Sequence, residues 1–289
     1  MNEAVQNFTI PKAAGSGEAG LNSGVIRRLY PGGAKKAFNI TYDDGVIQDV
    51  RFVELLNRYG LKGTFNLNSE LMRREFAWTH PNGMEVRRLP VERVRNLYDG
   101  HEVGSHSRTH PYMSSLTQEE ILFEMAQDKA DLEELFGREV AGFALPFRFY
   151  SETIADCARR CGFEYSRISE FTGSYTPCTD YYYWKTGFYH IEPGLTDYVA
   201  AFLNTHEELA LCQIVGHSYD LDALNLWGTM EVILAAVSGR YDIWSCTHLE
   251  LVRYLKAMDE YMRTGENRSD QSLWLEEEGQ IQIIRANEA

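Results

Sequence analysis

The 289-residue chain lacks the paired cysteines of a disulfide framework or a zinc ribbon. Its five, Cys157, Cys161, Cys178, Cys212 and Cys246, are odd in number and include no CxxC pair. Cys157 and Cys161 stand four apart in a predicted helix and read as core or surface thiols rather than ligands, which points to a reducing compartment. Positive charge is also scarce: 28 Lys and Arg face 42 Asp and Glu, a net charge of -14. That balance argues against a nucleic acid or an anionic membrane as partner, since both demand a basic patch. No apolar run approaches the roughly 20 residues of a membrane helix. The opening MNEAVQNFTIPKAAGSGEAG has neither a basic n-region nor an apolar h-region. The expectation from these absences is a cytoplasmic protein; they do not identify a substrate. Internal repeats and low-complexity segments are missing too. What remains is 44% hydrophobic and 12% aromatic, enough for a sizeable core.

The pattern along the chain alternates. AFNITYDD (37–44) reads as a strand, QDVRFVELLNRYG (48–60) as an amphipathic helix ended by glycine, and KGTFNLN (62–68) as a strand. Residues 70–88 form an irregular insert with a turn at His80–Gly83, and PVERVRNLYDG (90–100) is a short helix. HEVGSHS (101–107) is the third strand. Residues 117–137 are the clearest helix, capped by Thr117 with Glu120 three residues on and closed by Gly137. AGFALPF (141–147), EYSRI (164–168), part of YYYWKTGFY, ELALCQIVGHS (208–218) and DIWSCT (242–247) continue the strands, with helices between them and a last helix over 248–264. Such alternation implies a parallel sheet with helices outside it, open or closed into a barrel. The economical division is an N-terminal arm (1–36), one domain (37–265) and a C-terminal extension (266–289) that reads as a hairpin turning at Glu278 and Gly279. Arm and hairpin are the candidate surfaces for a homo-oligomer contact.

In such folds the chemistry sits at the C-terminal ends of the strands. The first strand ends in TYDDG (41–45). Neighbouring strand residues point to opposite sides, so Asp43 and Asp44 share a site only if the chain bends, for which Gly45 is suited. The alternative is that one caps the next helix and the other faces solvent. The third strand runs into SHSRTHP, with His106 and His110 at a spacing common among metal ligands. Pro111 disfavours a helical conformation at His110, so the pair belongs on a loop. Two imidazoles and one carboxylate leave positions open for water and substrate, as catalytic metal sites do, and a second carboxylate can then act as base.

TYDDG (41–45) and HSRTH (106–110) together resemble the first two motifs of the polysaccharide deacetylase family, the NodB homology domain of carbohydrate esterase family 4. The resemblance implies a distorted (β/α) barrel of about seven strands over roughly 37–265. It implies Asp43 as general base, and Asp44, His106 and His110 as ligands of a divalent ion. Zinc is the first expectation, with cobalt, nickel or manganese as alternatives. Later motifs match less closely. ALPFR (144–148) aligns with the third: Phe147 stands for a tyrosine and offers its N–H to an oxyanion. Ala144 replaces the arginine that orients the base, and Arg148 is the candidate to compensate. Asp180 and Trp184 in TDYYYWKTG echo the fourth motif, with Trp184 a candidate pocket residue and a packed aromatic cluster the alternative. CQIVGHSYD (212–220) fits the fifth, making His217 the general acid, with Gly216 where the family usually has leucine. His80, His190 and His206 match nothing and read as surface or structural.

The function implied is metal-dependent deacetylation of an N-acetylated sugar or related acetamide. Hydrolysis of another non-peptide C–N bond on a small intracellular substrate is the competing reading, together with metal binding without turnover. A non-haem iron oxygenase would use the same ligand types, but the strand-helix alternation disfavours it.

Overall fold

A computed structural model describes residues 26–74 and 76–286. Behind a short strand β1 (Arg27–Leu29), the first apolar run forms β2 (Lys36–Asp43), buried along its whole length. A strand buried on both faces belongs in the middle of a parallel sheet covered by helices. Helix α1 (Asp49–Arg58) supplies part of that cover through Phe52, Val53, Leu55 and Leu56. There follow β3 (Thr64–Leu67), the single turn α2 (Ser69–Met72), the hairpin β4 (Ala77–Thr79) and β5 (Glu85–Arg87), the turn α3 (Val91–Val94) and β6 (Glu102–Ser105). Helix α4 (Gln118–Phe136) starts at the Thr117–Glu120 capping box and stops where Gly137 turns left-handed at φ 64.

The second half continues with β7 (Gly142–Ala144), α5 (Glu152–Arg160), β8 (Tyr165–Phe171), β9 (Trp184–Thr186) and β10 (Phe188–Tyr189). After these come α6 (Leu195–Asn204), β11 (Ala210–Gly216), α7 (Ser218–Ala223), α8 (Trp227–Val237), β12 (Ile243–Ser245) and α9 (His248–Thr264). The chain then makes a hairpin of β13 (Leu273–Glu277) and β14 (Gln280–Ile284), turning at Glu278 and Gly279.

The parallel strands run in the order β10-β11-β2-β3-β6-β7-β8-β9. Because only Gly187 separates β9 from β10, one stretch of chain pairs with β8 on one side and β11 on the other. The sheet is thereby nearly closed into a seven-stranded (β/α) barrel, the fold the resemblance implied, whereas the alternation alone left an open sheet possible. Gly187 is required there: an added Cβ would run into the Tyr198 hydroxyl and the Gln213 carbonyl. Strand β12 wedges against the first three residues of β2, while β3 pairs with its last three.

A main core fills the space between barrel and helices, and a second cluster around Tyr30, Leu211, Trp184, Tyr254 and Leu273 closes the end where β2 and β11 begin. Strand β1 pairs antiparallel with β13 over that end. Of the arm expected over 1–36, residues 1–25 lie outside the described residues. No helix among the described residues is long and apolar enough to cross a membrane.

Candidate metal centre and active site

Six strands, β2, β6, β7, β8, β10 and β11, deliver their C-terminal ends to one cleft of about 480 Å³, whose walls include Asp43, Asp44, His106, His110, Phe147, Arg148 and His217. Asp43 is the last residue of β2, and the bend that lets Asp44 face the same cleft occurs at Asp44 itself. Its φ is 87°, with Gly45 following at 61°. A non-glycine residue in this region is strained and must be held by its surroundings. Here the holding group is Arg88, on the chain leaving β5. Its guanidinium donates to the Asp44 carbonyl and, at 2.8 Å, to Asn68 Oδ1, and lies 3.0 Å from Asp44 Oδ1.

His106 follows β6 directly, and its buried ring makes a 2.7 Å hydrogen bond from Nδ1 to the Ala144 carbonyl. A carbonyl only accepts, so Nδ1 carries the hydrogen and Nε2 presents a lone pair to the cleft. His110 lies on the loop beyond, as Pro111 requires, with a left-handed φ of 55°. Its Nε2 is 3.6 Å from Asp44 Oδ1, and that of His106 is 4.0 Å away. Ligands of one tetrahedral ion with bonds near 2.1 Å are about 3.4 Å apart. Asp44, His106 and His110 form the one such cluster found among the described residues, and Asp44 Oδ1 is buried without a well-aligned hydrogen bond. The residues therefore fit a divalent ion.

Asp43 is gripped differently. The fully buried Arg167 of β8 donates to its Oδ1, and Asn66 Nδ2 donates to the same oxygen at 2.8 Å. Arg167 is the register partner of Ala144 on the neighbouring strand, so the two side chains share a face of the sheet. Arg167 thus reaches Asp43 from the strand next to the one that carries Ala144. Arg148 does not reach Asp43; it is exposed at the cleft's rim. Sequence reasoning missed Arg167, because YSRISEF mixes polar and apolar residues and gives no local signal that its arginine faces inward.

Electrostatics separate the groups by role. Burial alone would raise the Asp43 carboxyl, but Arg167, His106 and His217 more than offset it and hold it below the ordinary value. Asp44 is likewise pushed up by burial and pulled well below its usual range by Arg88 and the three histidines. Burial lowers His106, against the pull of the two aspartates. Burial and the neighbouring His106 bring His110 down to about 4. Both are thus neutral, as ligands must be. His217 goes the other way: burial would lower it, but Asp220, Asp44 and Asp43 raise it. Environments that push like groups apart in this manner mark acid and base assignments.

His217 stands just past β11, with Nε2 3.9 Å from Asp44 Oδ2 and Nδ1 3.1 Å from Asp220 Oδ2. Phe147, at φ 60°, turns its ring onto Tyr112 in a 3.8 Å stack. Its N–H has no backbone partner among the described residues. Trp184, in contrast, lies away from the cleft. It is fully buried in the second core cluster, stacked edge-on to His248, with Nε1 donating 2.8 Å to Gln213 Oε1. Its position explains this: Trp184 is the first residue of β9, at the end of the strand away from the cleft. Asp180 accepts from the N–H groups of Tyr182 and Tyr183, a turn rather than a site.

The polysaccharide deacetylase family model matches residues 31–166, the segment that holds both the Asp43–Asp44 and the His106–His110 motifs. A polysaccharide deacetylase assignment from Mycobacterium smegmatis has a crystal structure 14% identical to this chain. The match covers 84% of this chain and 96% of that one, at a TM-score of 0.57. The CE4 family pseudoenzyme from Bacillus anthracis is 18% identical over 78% of this chain and 68% of its own, at 0.50. A Streptococcus pyogenes deacetylase, solved with acetate, is 20% identical, at 0.41. That match takes in 45% of this chain and spans about half, 55%, of the other. No protein of curated function matches the chain in sequence. Over the matched segment the chain is similar to the polysaccharide deacetylase family, and its nearly closed barrel is the fold it shares with the Mycobacterium smegmatis structure.

Proposed function

We propose that this chain is a divalent-metal-dependent deacetylase that hydrolyses the acetamide of an N-acetylated sugar or of a related small molecule. The observation that carries the proposal is the convergence of Asp43, Asp44, His106, His110 and His217 on one cleft, with opposite proton preferences on ligands and acid. Asp44, His106 and His110 would hold the ion, which would supply Lewis-acid activation of water and of the substrate carbonyl. Zinc suits two imidazoles and a carboxylate, as do cobalt, nickel and manganese.

The remaining steps belong to the chain's own groups. Asp43, fixed by Arg167 and Asn66, takes the proton from the attacking water. The Phe147 N–H is free to stabilise the oxyanion that develops on the acetyl carbonyl. His217, poised by Asp220, gives its Nε2 proton to the departing amine. Tyr112, Phe147 and Tyr219 present aromatic faces beside these groups, suited to the apolar face of a sugar ring.

The test is metal content together with acetate release from a panel of acetylated sugars and small acetamides. The wild type should retain about one ion and release acetate. Asp43→Asn should keep the ion and lose turnover by at least about a hundredfold, and His106→Ala should lose both. Metal retained without acetate from any substrate would favour hydrolysis of another C–N bond or binding without turnover. Metal retained in His106→Ala would overturn the ligand assignment.

A further inference from the structure

Behind His217 lies a second histidine that sequence matching left without a role. His190 follows β10 and is 2% exposed, too deep to touch a substrate. Its ring occupies space that exists only because residue 216 is glycine: a Cβ there would sit 2.5–2.6 Å from three of its ring atoms. His190 Nδ1 lies 2.5 Å from the Tyr42 hydroxyl, and Nε2 lies 3.2 Å from Asp220 Oδ2. The same oxygen receives His217 Nδ1 at 3.1 Å and the Tyr189 hydroxyl at 3.2 Å, while Asp220 Oδ1 faces His80 Nε2 at 3.5 Å.

Donor counting fixes the hydrogens. A carboxylate only accepts, so both histidines direct N–H groups at Asp220, and the Tyr189 hydroxyl, 3.1 Å from His217 Nδ1, gives its hydrogen to the same carboxylate rather than to that nitrogen. With Nε2–H of His190 so committed, its Nδ1 accepts, and the Tyr42 hydroxyl donates to it. Tyr42 therefore locks the tautomer of His190, and His190 in turn anchors Asp220 on the side away from His80. We propose that His190 is a positioning residue for His217, acting through Asp220, a role that rests on reading His217 as the proton donor. Held this way, Asp220 keeps the hydrogen of His217 on Nδ1 and turns Nε2 toward the cleft. Without His190, Oδ2 keeps His217 and the Tyr189 hydroxyl while Oδ1 faces His80, and the carboxylate loses the one donor that fixes it from the buried side. The lost alignment then falls on proton delivery rather than on substrate binding.

The experiment pairs a double-mutant cycle with NMR on the full, zinc-loaded chain carrying ring-15N histidine. His190→Ala should lower kcat about ten- to a hundredfold with KM within about twofold, since it removes part of a general-acid contribution. In an Asp220→Asn background the same substitution should cost less than about twofold, because the two act in series. His190→Gln, whose amide can still donate to Asp220, should recover most of the loss. The Nδ1–H resonance of His217 should shift or vanish in His190→Ala. Equal losses in both backgrounds, or an unchanged His217 resonance, would overturn the proposal. Should the wild type hydrolyse no acetamide, the NMR arm still decides, so failure of the deacetylase reading is told apart from failure of this one. If His190→Ala does not fold, Gly216→Ala provides the displacement instead: it crowds the His190 ring without deleting it and should give the same spectral change.

Discussion

Moving the arginine that grips Asp43 from one strand to its neighbour tests the site at its most unusual point. Arg167 is fully buried, and its guanidinium and the Asp43 carboxylate neutralise each other. Removing one partner of such a pair strands the other charge, at a cost of about 3–5 kcal/mol. Arg167→Ala should therefore lower the melting temperature by several degrees. It should also reduce kcat by roughly two orders of magnitude, because the base loses the stronger of its two side-chain donors and keeps only Asn66. Ala144 and Arg167 are register partners on adjacent parallel strands, so an arginine at 144 starts one strand further along the barrel and points from the same face. The double variant Ala144→Arg, Arg167→Ala should recover at least tenfold of the lost kcat and most of the lost stability. The single variant Ala144→Arg should be destabilised, since two guanidinium groups would then compete for one carboxylate in a packed interior. Thermal unfolding and acetate release on the four proteins read this out. Arg167→Ala with activity within about threefold of wild type would refute the role given to Arg167. A double variant no better than Arg167→Ala would refute the claim that the two positions are interchangeable.

The barrel makes three further tests available. Asp128 is buried between the Ser69 N–H and the Ser105 hydroxyl, and burial raises its carboxyl to about 7. The folded protein thus keeps a proton that the unfolded chain releases near pH 4, so stability should fall as pH rises from about 4 to 7, by up to roughly 4 kcal/mol from this group. Asp128→Asn should flatten that slope, and an unchanged pH profile of the melting temperature would sink the assignment. Gly104→Ala should push Asn66 off Asp43, since the added Cβ would overlap Asn66 Oδ1, and lower kcat about tenfold at unchanged metal content. Trp184→Phe should cost about 1–3 kcal/mol by leaving Gln213 Oε1 unpaired, without changing kcat/KM; lost activity at unchanged stability would put Trp184 back at the cleft.

Legibility in the sequence followed the range of the interactions. Helix caps and the strand-helix alternation are local or periodic, so Thr117, Glu120 and Gly137 announced α4, and the repeated strands announced a parallel sheet covered by helices, its closure into a barrel coming only from the motif resemblance. The ligand loops were legible because each motif is contiguous: Asp43 with Asp44, and His106 with His110, lie within five residues of one another. What escaped were contacts set by register between distant segments. Nothing local to EYSRI says that Arg167 faces the barrel interior, or that its partner across the sheet is the small Ala144. Nothing local to Gly216 says that a histidine 26 positions earlier fills the space it leaves, a separation read from the numbering alone. In both cases a residue that departs from the family pattern is small, and a larger polar side chain from the adjacent strand of the barrel occupies the volume. Alanine at 144 goes with arginine at 167, and glycine at 216 goes with histidine at 190. A close-packed interior allows little else, since a vacated volume beside a buried carboxylate must be filled by a group that also meets the carboxylate's hydrogen-bonding demand. The departures at 144 and 216 therefore mark a site whose supporting contacts have been relocated, and the place to look for each replacement is the register partner or the next strand.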